Sequence, residues 1–257
     1  MKNYGVDRIS SDLLRYKSIF ATFYMPTGRF DFKQFSVCHD RCAMKVGTDG
    51  VLLGAWAPGG KHILDIGTGS GLVAMMMAQR FPNAGIVALE IDKDACEQAI
   101  CNISQSPFAD KIEVICEDAS CYVPQSRYDC IVSNPPFFEE SLLNPSQKKA
   151  VARHSSSLPF HALFSCVSRS LSEEGLFSAI VPDESVGSFL SKGSLAGFFV
   201  VRHCAIRTTP KKPIRRHLLS FCKKPAYGVK IEEALLQSSD GTRSEWYNNL
   251  TKDFYIR

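Results

Sequence analysis

The chain has 257 residues, 45% hydrophobic and 22% charged, which is the make-up of a globular protein with one sizeable core. No apolar run approaches the roughly 18–20 residues of a membrane-spanning helix, and the N-terminus lacks the apolar block and cleavage site of a signal peptide, so a cytoplasmic location is expected. The net charge of +4 hides an asymmetry: Ser185 to Lys230 holds ten Lys/Arg and no Asp or Glu, whereas the other 211 residues hold 20 Lys/Arg and 26 Asp/Glu, a distribution that points to an anionic partner on one face.

Ten cysteines include no C-x-x-C pair and mostly sit inside apolar segments, so neither a metal site nor a disulfide framework is expected. Residues 1–27 contribute no element that the later pattern needs. They read as a dispensable N-terminal extension to a domain of residues 28–257. The Gly-Thr-Asp-Gly turn at 47–50 reads as the start of a helix, with Thr48 or Asp49 as N-cap.

From residue 62 onward, strand and helix signals alternate. HILDIG (62–67) is a buried strand, and GLVAMMMAQRF (71–81) has helical length and spacing, ended by Pro82. GIVALEI (85–91) is a strand. DKDACEQAICNIS (92–104) is a helix with Asp92 as N-cap. KIEVICE (111–117) and YDCIVSN (128–134) are strands, 157–171 is helical, LFSAIV (176–181) is a strand, and a helix runs from Pro182-Asp183 to about Leu190. Two more strands, 198–207 and 217–223, end the pattern. This alternation predicts a Rossmann-like α/β fold: a seven-stranded, mostly parallel sheet, helices on both faces, and a last antiparallel strand.

The loop after the first of these strands reads Asp65-Ile-Gly67-Thr-Gly69-Ser-Gly71. Its glycines allow a tight turn and a close approach to a ligand, and the following helix N-terminus offers unpaired N–H groups. A dinucleotide fingerprint is G-x-G-x-x-G. Here the last spacing is one residue shorter, and an acid stands at the strand end, where it would repel a pyrophosphate but suit the ammonium of a methionine moiety. Glu90, at the end of the next strand, is placed to accept both ribose hydroxyls. Asp118, or its neighbour Glu117, is placed to accept from an adenine amine. The cofactor expected is S-adenosylmethionine.

Ser133 is followed by Asn134-Pro135-Pro136-Phe137 at the carboxyl end of the fourth strand. An aromatic exocyclic amine is a poor nucleophile because its lone pair is delocalised into the ring. The Asn134 side-chain oxygen and the Pro135 carbonyl can each accept one N–H, which favours a pyramidal nitrogen. The two prolines hold both acceptors rigid, and Phe137 offers a stacking face. These residues permit methylation of adenine N6, guanine N2, cytosine N4 or a protein glutamine.

The tetrad matches the [DNS]-P-P-[YFW] motif of amino methyltransferases, and the glycine loop resembles motif I of the class I enzymes. With FKQFSVCHDRCAMKVGTDGVLLGAWA (32–57), NPPFFEESLLNP, KKAVARHSSSLPF and the terminal LTKDFYIR, the chain resembles bacterial tRNA (adenine-N6) methyltransferases that modify adenine 37 of a valine tRNA. The resemblance implies that Lys45, Gly47, Thr48 and Asp49 line the cofactor pocket, that the partner is tRNA, and that no metal is used. A tetrad ending in Phe137, where many adenine-N6 enzymes carry Tyr, also suits ribosomal-RNA guanine-N2 methyltransferases. A glutamine methyltransferase is a further alternative, and a non-catalytic RNA-binding module on this scaffold another.

Ligands bind outside the carboxyl ends of parallel strands. The 138–153 loop, with Lys148, Lys149 and Arg153, lies on that edge. So does the 208–216 connection, if the strand before it is parallel. Lys211, Lys212, Arg215 and Arg216 are therefore expected to contact RNA phosphates. A monomer is favoured.

Overall fold

The computed structural model describes residues 28–42, 45–136, 158–225 and 228–256; the expected extension at 1–27 lies outside them. A short antiparallel hairpin, β1 (Arg29–Asp31) and β2 (Ser36–Cys38), comes first. Helix α1 (Thr48–Trp56) leads into the alternating part. This runs β3 (His62–Ile66), α2 (Leu72–Arg80), β4 (Gly85–Glu90), α3 (Lys93–Ser104), β5 (Ile112–Cys116) and β6 (Tyr128–Ser133). It continues with α4 (Phe160–Ser170), β7 (Leu171–Pro182), α5 (Asp183–Leu195), β8 (Phe199–Arg207), β9 (Ile214–Cys222), β10 (Lys230–Leu235) and α6 (Glu245–Thr251). Among the described residues no helix is long and apolar enough to cross a membrane.

The sheet order is β10-β8-β9-β7-β6-β3-β4-β5, with β9 antiparallel to both neighbours and every other pair parallel. Chain order reverses between β3 and β6, which opens a crevice at their carboxyl ends. Period-two alternation along the strands divides the core between the two faces. Ile63, Ile86, Val132, Ile180 and Leu218 face α1, α2, α3 and the β1–β2 hairpin, while Leu64, Ile131, Phe177, Leu219 and Phe221 face α4 and α5. Helix α1 approaches α2 closely because Gly54 has no side chain: a Cβ there would lie 2.8 Å from the Met76 sulfur.

The parallel plan is as expected, but the sheet has eight strands among the described residues, not seven. The antiparallel strand β9 is not the last; β10 follows it and adds to the far edge, parallel to β8. Helix α5 runs past Leu190 to Leu195, and β7 begins directly after α4, at Leu171. A register shift between Tyr128 and Cys130 absorbs the extra residues of β7, since Tyr128 pairs with Leu171 and Cys130 with Leu176. Asp92 caps α3 as expected, its Oδ1 accepting from the Ala95 amide at 2.9 Å. Neither Thr48 nor Asp49 is an N-cap. Gly47 holds that position without a side-chain bond, and the Asp49 carboxylate is drawn instead to Arg216.

Candidate active site

Three strand ends converge on the crevice. Asp65 is the penultimate residue of β3 and is buried, with Oδ2 accepting from Thr68 Oγ1 at 2.6 Å and from the Ala74 amide at 3.1 Å. These bonds fold the glycine loop back onto the first turn of α2. Burial pushes the Asp65 carboxyl up to about 7, against the two hydrogen bonds, which favour the carboxylate. Gly67, Gly69 and Gly71 have φ of 72°, 55° and 83°, a region that L side chains rarely adopt. No atom lies within 4 Å of where a Cβ on Gly67 or Gly69 would project, so the loop presents open space toward the crevice.

Glu90, at the end of β4, is almost wholly buried. Its Oε2 accepts from the Gly69 amide at 2.8 Å, and its Oε1 from the amides of Ile91 and Asp92 at 2.9 and 3.1 Å. A carboxylate has about four acceptor positions, so one remains. Glu90, expected to accept ribose hydroxyls, braces the glycine loop through the Gly69 amide. Its neighbour Ile91 is 45% exposed, a large apolar side chain just beyond the end of β4. Sequence reading passed over it because one exposed apolar residue carries no signal. Asp118, just beyond β5, caps a turn through the Ser120 amide at 2.7 Å and keeps acceptor capacity.

Ser133 ends β6 fully buried, and its hydroxyl donates to the Ile66 carbonyl at 2.8 Å, clamping β6 to β3. Asn134 and Pro135 follow directly. The Asn134 side-chain oxygen is buried and has no hydrogen-bond partner among the described residues. An acceptor left unpaired in a buried site costs about 1–3 kcal/mol. Phe137, Lys148, Lys149 and Arg153 lie outside the described residues.

Beside the loop, Asn102 of α3 makes three bonds. Its Oδ1 accepts from the Cys38 amide at 2.9 Å, and its Nδ2 donates to the carbonyls of Cys38 and Ser70 at 2.7 and 2.8 Å. This buried asparagine ties the N-terminal hairpin to the glycine loop. A poor helix former on the buried face of α3 was the available signal, and sequence reading missed it.

Lys45 is exposed, and Thr48 is half-buried at the start of α1. Asp49, expected to line the cofactor pocket, and Arg216, expected to contact RNA, pair with each other. The reason is topological: Arg216 lies on β9 opposite Pro182, on the same face of the sheet as α1. Arg207 pairs with Glu233, Arg202 with Glu232, and Lys223 and Lys224 with Glu173 and Glu174. Much of the basic stretch is thus neutralised within the fold. Lys211, Lys212 and Arg215 form no ion pair among the described residues.

Level with Ser133 in the sheet stand Ala179 on β7 and Leu219 on β9, and the hairpin continues past them to Pro182 opposite Arg216 and on to Ile214. Five residues of extra strand raise its tip about 16 Å above the crevice floor. The tip stands two to three strands, or about 10–14 Å, to the side of β6, so the basic turn is roughly 20 Å from Asn134.

The arrangement fits S-adenosylmethionine. The open side of the glycine loop leaves room, and Asp65 and Glu90 supply acceptors beside it. Residues 46–157 match the family model described as methyltransferase small domain. The chain is 46% identical over 234 residues to a tRNA1(Val) (adenine(37)-N6)-methyltransferase of Phocaeicola vulgatus, covering 90% of this chain and 99% of that one. It is 40% identical over 240 residues to a protein of that name from Klebsiella pneumoniae, covering 91% and 97%. The fold is shared with a predicted O-methyltransferase from Agrobacterium tumefaciens, with a TM-score of 0.65 at 18% identity over 80% of this chain and 96% of that one. Another structure of this fold is a glycopeptide N-methyltransferase complexed with (S)-adenosyl-L-methionine, with a TM-score of 0.50 at 12% identity over 70% and 90%. Such identity across almost the whole length of both chains places this protein in the tRNA1(Val) (adenine(37)-N6)-methyltransferase family.

Proposed function

We propose that this chain methylates N6 of an adenine, position 37 of a valine tRNA, using S-adenosylmethionine. The observation that carries this reading is the buried Asn134 oxygen at the switch point of the sheet, which has no hydrogen-bond partner among the described residues. When bound, the cofactor supplies a methyl group already activated by its sulfonium. Asn134 Oδ1 and the Pro135 carbonyl accept the two N–H bonds of the amine, holding its lone pair out of the ring plane. Pro135 and Pro136 fix both acceptors, so little reorganisation is needed during the reaction. The base reaches this pocket only unpaired or extruded. Lys211, Lys212 and Arg215 bind phosphates on the overhanging turn, and the work is done where tRNA matures, in the cytoplasm. The test is transfer of radiolabelled methyl to total RNA followed by nucleoside analysis. N6-methyladenosine in tRNA is the expected product; N2-methylguanosine in ribosomal RNA would replace this reading with the guanine one.

Asp65 gives the reaction a pH signature. Its carboxyl titrates at about 7 in the fold against 3.8 for the free group, so the folded state binds its proton more tightly than the unfolded one. That contribution to stability is complete below about pH 4 and is lost as pH rises to about 7, a change on the order of 4 kcal/mol. A cationic cofactor favours the ionised form, so its affinity should rise with pH up to about 7, and binding below that should release a proton. Asp65→Asn should flatten both profiles and weaken binding. Calorimetry in two buffers of different ionisation enthalpy, with thermal scans across pH 4–8, checks this; a variant that keeps both slopes assigns them elsewhere.

A further inference from the structure

The strand that the seven-stranded expectation lacked has a consequence at the RNA-facing edge. The end of β10 continues alongside the β8–β9 turn, with the Leu236 amide donating to the Arg207 carbonyl at 3.0 Å and the Gln237 amide to that of Thr208 at 2.9 Å. Arg207 is a bracket between the two: its Nε donates to the Glu233 carboxylate, and its Nη1 donates to the Lys212 carbonyl at 3.0 Å. The Lys212 amide in turn donates to the Thr209 carbonyl at 3.1 Å. The turn that carries Lys211 and Lys212 is therefore held in one shape before any ligand arrives. Between turn and strand lies an open cleft of about 540 Å³, lined by Arg207, Pro210, Glu233 and Leu235.

The lining has the chemistry of a slot for a base. Pro210 and Leu235 offer apolar surfaces to a flat ring, Glu233 accepts from ring N–H or exocyclic amine groups, and Arg207 donates. Lys211 and Lys212, which form no ion pair among the described residues, stand at its rim for the adjoining phosphates. The Arg207–Glu233 pair leaves the lining neutral, so it is the two lysines at the rim that favour a nucleic-acid strand as occupant, and the roughly 20 Å to Asn134 corresponds to about six stacked nucleotides.

Resting on the RNA reading above, we propose that the cleft between the β8–β9 turn and β10 receives an unpaired nucleotide of the substrate RNA away from the methylated base, with Arg207 and Glu233 as positioning residues for the basic turn. The cleft adds affinity for a long RNA and contributes nothing to an RNA too short to reach it.

The test uses the full chain with two substrates, a full-length valine tRNA transcript and a stem–loop with the same target adenine but spanning less than roughly 20 Å from it. Pro210→Asp places a repelling charge in the cleft without touching the bracket, and Arg207→Gln removes the bracket. Each should raise KM for the full-length transcript about tenfold, with kcat and cofactor affinity unchanged and the stem–loop kcat/KM within about twofold of wild type. Thermal scans identify an Arg207→Gln chain that has lost its fold, in which case Pro210→Asp decides. An unchanged KM for the long RNA, or an equal loss on both RNAs, overturns the cleft and leaves the methyl-transfer reading standing. Wild-type protein that methylates neither RNA overturns the RNA reading, and the cleft with it.

Discussion

Replacing Asn134 with Ala lowers kcat for methyl transfer by about 10²–10³-fold, the usual loss when one preorganised partner of the reacting group is removed. Cofactor affinity should change far less, because Asp65, Glu90 and the glycine loop are untouched. The same substitution should leave the melting temperature unchanged or raise it, since it deletes a buried acceptor that costs about 1–3 kcal/mol while unpaired. Opposite signs for stability and turnover are the mark of a residue kept for chemistry. Single-turnover methyl transfer, read beside a thermal scan, separates these effects. Undiminished turnover would remove Asn134 from the mechanism, and a large loss of stability would make it a structural residue. Asn134→Asp keeps an acceptor that the first position of the [DNS]-P-P-[YFW] motif allows, so it should retain far more turnover than Asn134→Ala.

The features that were legible in the sequence are those coded locally. The buried strands β3, β4 and β6 are short apolar runs with turn residues at each end, and the Asp92 cap lies three residues from its Ala95 partner. The glycine loop and the Asn134 tetrad are contiguous, so the chemistry could be read before the fold. The strand β10, KIEEAL, was missed because an edge strand needs little apolar surface and its carboxylates break the alternation. Those carboxylates, Glu232 and Glu233, face Arg202 and Arg207 across the β8–β10 pair. Asp49 and Arg216 stand 167 positions apart, and only the packing of α1 on β7, beside β9, joins them. Glu90 was read from its position at a strand end, which is correct, but its bond to the Gly69 amide depends on how the glycine loop folds back. Local pattern thus located the site, while the charge pairing that decides which basic residues are free is a tertiary property.

That pairing sets the second large effect. Replacing Lys211, Lys212 and Arg215 together with Ala should reduce the slope of log affinity for tRNA against log salt by about 2–3, close to 0.9 for each phosphate that is no longer neutralised. Affinity at 0.1 M salt should fall by about two orders of magnitude, and the difference from wild type should vanish as salt approaches 1 M, where released counterions no longer drive binding. Arg216 provides the internal contrast. Its guanidinium is engaged with Asp49 and only partly exposed, so Arg216→Ala should leave the salt slope nearly unchanged and act instead on α1 and the cofactor side. Cofactor affinity should be unaffected by the triple variant, because the turn stands roughly 20 Å from the crevice and charges at that distance are screened at 0.1 M. Filter binding across a salt series measures both slopes. A triple variant with wild-type slope would place the RNA on another face. A single Arg216→Ala variant that alone reproduced the triple loss would mean that the pair with Asp49 opens when RNA binds, and that Arg216 itself neutralises the decisive phosphate.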